Sequence, residues 1–581
     1  MSVEASQPAP GFQRRLGLFD STMLVAGTMI GSGIFLVSAD IARDVGSAGW
    51  LMVVWGLAGV MTIIGALSYA ELAAMMPAAG GQYVYLKEAY SPLYGFLYGW
   101  TCFLVIQTGS IAAVGVAFAK FLAVFVPLLG TSPEFTKEHP HGKDGQIFYV
   151  RENVDIKVYL PFQTPFLKDE KGQKEPFFKM DHFVITNGQL VACVVILLLT
   201  WLNCRGVQEG KIVQNVMGVA KTVALIGLIV VGIFLVTSAA ARTANTTDWW
   251  GGIAGTDAFK NISGKLNLNA GMWTTIAALM VVGGAMVGSL FAADAWNNIT
   301  FTAGEIKNPR RNLPLSLALG VGLVILLYML ANVAYVESLP VRGDPEKAEQ
   351  NQKEADAAYA RAASLREKGQ AEAAAHALSE GDSRASTAAF YRGIDGAKDD
   401  RVATAVLELL SPRYGAYLMA IAVMISTFGC VNGMTLMGAR LYYVMAQDNL
   451  FFGAVGKLNK RGVPAAGLIL QGLWSVALVF SGSYNELLDY VIFAVLVFYV
   501  LTVAGLYVLR VKQPNAERPY KAFGYPVLPA LYVLACAVIM VNLLIVKPKL
   551  TWPGFAIVLT GIPVYFLWKM ARGGAKAATA P

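Results

Sequence analysis

Charge is scarce in this chain: only 14% of its 581 residues are Asp, Glu, Lys or Arg. An ordinary soluble surface needs more than that. Histidine is scarcer still, with four copies, His139, His141, His182 and His376, all in polar stretches. Membrane-embedded His chemistry is thereby excluded, and no Gly-rich loop runs into a Lys-Ser/Thr pair to cradle phosphate. Both absences argue against an enzyme. The five cysteines, Cys102, Cys193, Cys204, Cys430 and Cys536, sit in or beside apolar stretches, and neither long polar segment has one. An odd count so placed excludes a disulfide framework. Short alternating segments, the mark of a β-barrel, are missing. The first twenty residues have no apolar core, so no cleavable signal peptide is expected.

What is abundant is apolar sequence, at 56%. Twelve charge-free stretches recur: 21–39, 45–70, 89–119, 183–203, 222–241, 266–293, 312–336, 414–439, 462–485, 490–509, 522–546 and 550–568. About 20 apolar residues cross the ~30 Å hydrocarbon layer as a helix. The expectation is an all-α membrane protein with twelve spans in a lipid bilayer.

The net charge of +8 sits mainly in short connections: Arg14 and Arg15; Lys307, Arg310 and Arg311; Lys457, Lys460 and Arg461; Arg510, Lys512, Arg518 and Lys521; Lys569, Arg572 and Lys576. In a twelve-span arrangement these share one side. That is the positive-inside pattern, with both termini cytoplasmic and the chain multi-pass in the plasma (inner) membrane. It calls for no nucleic acid partner.

The expected order is a tail over 1–18, spans one to three over 19–127, an external insertion over 128–182, and spans four to seven over 183–339. An external helical insertion over 340–402, spans eight to twelve over 403–572 and a tail over 573–581 follow. The first insertion has eight Lys/Arg and nine Asp/Glu, and Val154 to Leu160 alternates as a strand would. His139 and His141 are neighbours, yet no Cys or nearby third His joins them, so no metal site is expected. Helix formers dominate the second insertion, and Gly369 divides it into a hairpin.

Two spans are interrupted. In the first, Gly31-Ser32-Gly33 weakens an otherwise apolar helix. Unwinding there frees N–H groups at the start of the next half-helix, a site for a carboxylate. Close packing through small residues also fits. In the sixth, the uncharged stretch 266–293 ends at Asp294, followed by Asn297 and Asn298. Freed carbonyls there, with Asp294, suit a cation or an ammonium group. Asp294 can instead be a buried partner of a polar neighbour. Donors for a carboxylate and acceptors for an amine together describe a free α-amino acid.

Lys221 is alone in the fifth span, and a lone ammonium there is costly unless paired or neutralised. It can replace a structural cation by bonding freed carbonyls. It can titrate and couple transport to protons. It can also snorkel to the surface.

Gly31-Ser32-Gly33-Ile34-Phe35 resembles the first-helix motif of the amino acid–polyamine–organocation superfamily. So do Ala70-Glu71-Leu72 ahead of Pro77, and Gly80-Gly81-Gln82-Tyr83-Val84-Tyr85. Phe291 to Asn297, then Gly304-Glu305-Ile306-Lys307-Asn308-Pro309, look most like the L-type amino acid transporter branch and its bacterial relatives. Arg440-Leu441-Tyr442-Tyr443-Val444-Met445-Ala446 and Arg518-Pro519-Tyr520-Lys521 agree. The resemblance spans the apolar stretches in order and leaves out both insertions.

It implies a leucine-transporter-type fold, with a five-plus-five inverted repeat and two further helices. It implies sodium-independent amino acid transport by alternating access, as exchanger or proton-coupled carrier; Asp294 keeps a cationic amino acid or polyamine carrier open, and an amino-acid sensor on the transporter fold is the alternative of another class. The substrate carboxylate would meet the backbone of Gly31, Ser32, Gly33 and Ile34. The amine would meet carbonyls near Met29, Phe291 and Asp294, Ala292 would also belong to the substrate site, and Phe291 would gate. Lys221 matches a fifth-helix lysine that replaces a second sodium site. No cofactor is implied. Animal members of the branch bind a glycoprotein through a cysteine between spans three and four; this chain has none there, so no disulfide-linked subunit is expected, only a monomer or homodimer.

Overall fold

A computed structural model describes residues 13–131, 145–151, 156–158, 178–180, 183–265, 272–481 and 484–578. In lipid every backbone polar group has to be satisfied within its own segment, so apolar stretches become helices. Among the described residues, eleven helices are long and apolar enough to cross a bilayer. The first eight are Leu18–Val45, Ala48–Met75, Pro92–Leu122, Asn187–Arg205, Gln208–Leu235, Thr274–Glu305, Pro309–Ser338 and Gly415–Gln447. They are spans one to eight below. Val491–Lys512, Val527–Val546 and Thr551–Met570 complete the set.

Twelve long spans were expected, and the stretch 462–485 accounts for the difference. It forms a 15-residue helix, Ala465–Val479, which starts after Pro464. At 1.5 Å per residue that is about 22 Å, short of the hydrocarbon thickness. It lies along span four in the opposite direction. The Cys204 thiol is 3.9 Å from the Ala465 carbonyl at one end, and the Gln189 amide donates to the Val479 carbonyl at 3.0 Å at the other.

Contacts between connections sort the ends of the helices onto two faces. On one face the chain before span one pairs with the exit of span six: Leu16 N–H donates to the Glu305 carbonyl at 2.9 Å and Lys307 N–H to the Leu16 carbonyl at 2.8 Å. There too Lys211 meets Asp20 at 2.7 Å and Arg310 meets Glu517 at 2.7 Å. On the other face Arg43 donates to the Asp395 carbonyl at 2.7 Å and to Asp400 at 2.7 Å, and Lys120 lies 3.4 Å from Asp400.

The resemblance motifs meet one another inside the bundle. Glu71 accepts from Arg510 at 2.6 and 3.0 Å and from the Ala522 N–H at 2.6 Å, with Arg518 at 3.3 Å. Glu305 accepts from the fully buried Arg440 at 3.0 Å. Charges this deep persist only when paired.

Of the 128–182 segment, Ile147–Arg151 pairs antiparallel with Phe183–Thr186, and Ile156–Val158 with Phe178–Met180. Val154, Asp155, Tyr159 and Leu160, and His139, His141 and His182, lie outside the described residues. The second insertion holds helices Pro345–Glu367 and Ala371–Arg392, turning at Gly369 with φ +72°. They run antiparallel, with Tyr359 donating to Asp382 at 3.0 Å and Arg361 to Glu380 at 3.1 Å. Ala348, Ala355, Ala358 and Ala362 of the first helix and Ala374, Ala377 and Ala388 of the second are buried, so small side chains let the pair approach closely.

Candidate functional site

Span one is two helices, Leu18–Met29 and Gly33–Val45. Ile30 leaves helical geometry at φ −74°, ψ 85°. A helix that stops in mid-membrane strands its last carbonyls and the next helix's first N–H groups. Side chains from other spans serve those carbonyls. The Lys221 ammonium, 1% exposed, donates to Gly27, to Ile30 at 2.9 Å and to Ser426 of span eight at 3.1 Å. The Ser426 hydroxyl lies 2.9 and 3.0 Å from the carbonyls of Ile30 and Gly31, and Cys430 Sγ lies 2.9 Å from that of Thr28. Lys221 therefore joins spans one, five and eight and does not snorkel.

Span six stops at Ala292 and resumes as a 3₁₀ segment, Trp296–Glu305. Ala293, Asp294 and Ala295 lie between, and Ala295 has φ 68°, uncommon for a residue with a Cβ. The Tyr328 hydroxyl of span seven sits between the two breaks, 2.8 Å from the Met29 carbonyl and 3.1 Å from that of Ala292. Two residues of the expected substrate site, Met29 and Ala292, thus meet at one hydroxyl. Phe291 is half-buried, and its carbonyl accepts from Asp294 N–H at 3.1 Å.

The glycines have partners in packing. A Cβ on Gly33 would lie 2.5 Å from the Ala292 Cβ, and one on Gly31 would lie 3.3 Å from Cys430 Sγ. A Cβ on Gly288 would lie 2.3 Å from a Val37 methyl. The second half of span one and the first half of span six touch backbone to side chain because these positions are bare. Ile34 is buried, and its carbonyl accepts from Tyr335 at 3.0 Å. Ser32 is buried at the start of the second half-helix.

Asp294 accepts from Tyr499, on the helix Tyr484–Lys512. Asn297 donates to Gln82 at 3.1 Å, and Gln82 donates to the Phe498 carbonyl at 3.0 Å and to Thr502 at 2.9 Å. Two small cavities flank this wall, of about 10 and 20 Å³. Neither exceeds room for water. The centre is closed. A cleft of about 580 Å³ opens on the insertion face and descends past Arg43, Arg342 and Asp395 to Val37 and Gly288.

The glycine pattern, Asp294 and Lys221 were visible in the sequence. Tyr328, Ser426, Cys430 and Tyr499 were not. Ser426 and Cys430 are one helical turn apart beside Gly429 and Gly433, a polar and small stripe that marks a close-packed face. A single tyrosine in an apolar helix gives no such signal.

The sequence profile of the family described as amino acid permease matches residues 16–349 and 392–567. The chain belongs to that family. The chain is a multi-pass membrane transporter, not an enzyme, and its family carries amino acids. The chain is similar to the human large neutral amino acids transporter small subunit 2, at 27% identity over 97% of this chain and 83% of that protein. The mouse protein of that name matches at the same identity. Similarity to the human b(0,+)-type amino acid transporter 1 is 26%, over 98% of this chain and 90% of that protein. The internal stretch of this permease left unmatched, 350–391, falls within the helical hairpin.

Proposed function

We propose that this permease moves amino acids across the plasma membrane without sodium, by exchange around the two breaks. The observation that carries the reading is the Lys221 ammonium held by carbonyls of Gly27, Ile30 and Ser426. A bound cation would satisfy the same carbonyls; an ammonium in that place removes the need for one. The substrate carboxylate goes to N–H groups at Gly31, Ser32, Gly33 and Ile34, which begin a half-helix. The amine goes to the carbonyls of Met29, Phe291 and Ala292 and to Asp294. Tyr328 already bonds two of these carbonyls, so substrate entry has to move it or share them. The closed centre and the open cleft on the insertion face fit a cycle of alternating access.

The fold proposed for this cycle is the leucine-transporter type, with the short helix Ala465–Val479 as the twelfth crossing. Its placement along the whole of span four supports that count. Neutral amino acids are the proposed cargo, from the name of the human relative. A cationic cargo is the second reading, favoured by the carboxylate of Asp294.

That relative is named a small subunit, so the expectation of a monomer or homodimer without a glycoprotein draws no support from it. The five cysteines are free and lie in helices. A larger subunit would therefore be held without a disulfide in the 128–182 segment.

The test is counterflow of labelled leucine into liposomes holding the purified protein and unlabelled leucine. Equal rates in sodium and in choline are expected. Stimulation by sodium, or no counterflow with any amino acid, would overturn the reading.

A further inference from the structure

The hydroxyl of Tyr499 donates to Oδ1 of Asp294, and the ring that carries it is fixed. Tyr499 is 6% exposed. Its ring stacks on Trp296 at 5.2 Å between centroids and meets Tyr69 edge-on at 5.7 Å. Gripped on both sides, the phenol points at one place. Among the described residues Asp294 has no Lys or Arg partner. A carboxylate at this depth with only neutral donors is poorly compensated. Asp294 and Tyr499 both line each of the two small cavities, one reaching Gln107 and Ser110, the other Met61 and Cys536. A substrate side chain that expands either cavity meets this bridge in its wall.

We propose that Tyr499 sets the preference between neutral and cationic amino acids, by occupying Asp294. This rests on the amino acid carrier reading above. A neutral side chain leaves the bridge intact and the carboxylate served. An ammonium or guanidinium side chain would form a stronger, charge-assisted bond, and to take Oδ1 it has to displace the phenol. Tyr499 therefore opposes cationic cargo, and Asp294 provides the anion that such cargo would seek. Tyr499 is a positioning residue, acting through Asp294.

The experiment measures how well arginine competes against leucine counterflow in liposomes. Tyr499→Phe removes one oxygen and is expected to lower the half-inhibitory concentration of arginine about tenfold relative to that of unlabelled leucine, the worth of a hydrogen bond to a charged group. In the Asp294→Asn background the same change should leave the ratio where it was. An unchanged ratio in Tyr499→Phe, or an equal shift without the carboxylate, overturns the proposal. Tyr499→3-fluorotyrosine keeps the packing and strengthens the donor, so it should weaken arginine competition; no change there also counts against the bridge. A wild-type protein that moves neither amino acid would defeat the carrier reading itself, and this proposal with it. Transport indifferent to Tyr499 defeats the proposal alone.

Discussion

The ammonium of Lys221 donates to the carbonyl of Ile30 at 2.9 Å, where span one has come apart. Three carbonyls from two spans share this one donor group. Lys221→Met is therefore expected to leave buried carbonyls unserved, at about 1–3 kcal/mol each. Its melting temperature in detergent should fall and its counterflow should be lost. Lys221→Arg keeps the charge and should lose less, though a Cβ on Gly429 would lie only 3.3 Å from the ammonium, so the niche is narrow. A Lys221→Met protein with wild-type counterflow and melting would remove the lysine from the mechanism.

Gly33 faces Ala292, and the two broken helices meet there. Gly33→Ala puts a Cβ 2.5 Å from the Ala292 Cβ and is expected to cost about 1–3 kcal/mol of overpacking. Ala292→Gly in the same chain should restore part of the stability, because it removes the nearest clashing atom while the Ala292 Cα, 2.8 Å from the new Cβ, remains. A double-mutant cycle on melting temperature measures this coupling. If stability returns and counterflow does not, the bare backbone of Gly33 is also needed by the substrate. Independent, additive effects would show that the contact is not what demands glycine.

The two breaks could be read from the chain because glycine and an intramembrane carboxylate are costly in a helix in lipid. Lys221 could be read for the same reason. The groups that complete the site could not. Ser426 reaches Ile30 from 396 residues away, and Tyr499 reaches Asp294 from 205 residues away. No local period encodes such pairs; only the packing of whole helices brings them together. The length of the helix Ala465–Val479 was hidden for another reason. A charge-free stretch counts residues, whereas Pro464 and the turn at Ser481 set how many of them are helical.

The hairpin Pro345–Arg392 is closed at its root by backbone pairing, with Asp344 N–H donating to the Tyr391 carbonyl at 2.6 Å. The next contacts, from Asp395 and Asp400 to Arg43, lie beyond it. Replacing residues 345–392 with a short Gly/Ser linker should therefore leave those contacts and keep leucine counterflow within about threefold of wild type. Loss of counterflow in a well-folded deletion would give the hairpin a part in the transport cycle.

Arg413 ties the hairpin to the start of span eight through Asp382, with Nε at 2.8 and 3.1 Å from its two oxygens. The guanidinium bond holds the Asp382 carboxyl below its ordinary value of 3.8. A lowered carboxyl adds stability that is present above the ordinary value and lost as pH falls through the lowered one. Limited proteolysis within 345–392 is thus expected to be slow at neutral pH and to rise only in strong acid. Asp382→Asn should show the faster cleavage already at pH 7, without a change in melting of the membrane bundle. Equal cleavage of both proteins at pH 7 would mean that other contacts anchor the hairpin.

Arg310 and Lys211 share a face with the chain that precedes span one, whereas the helical hairpin stands on the opposite face with Arg43 and Lys120. The short basic connections collect on the first of these faces. Lys and Arg in short connections are held on the cytoplasmic side during insertion, while long segments cross almost regardless of charge. The hairpin is therefore expected outside the cell and both termini within it. Ser364 is exposed on the first helix of the hairpin. The native Cys102, Cys193, Cys430 and Cys536 are buried and Cys204 is half-buried, so background labelling should be low. In intact cells a membrane-impermeant maleimide should label Ser364→Cys and spare Lys460→Cys, which should react only after permeabilisation. The opposite pattern would invert the protein in the membrane. The cleft past Arg43 and Arg342 would then be an exit to the cytoplasm instead of an entrance from outside.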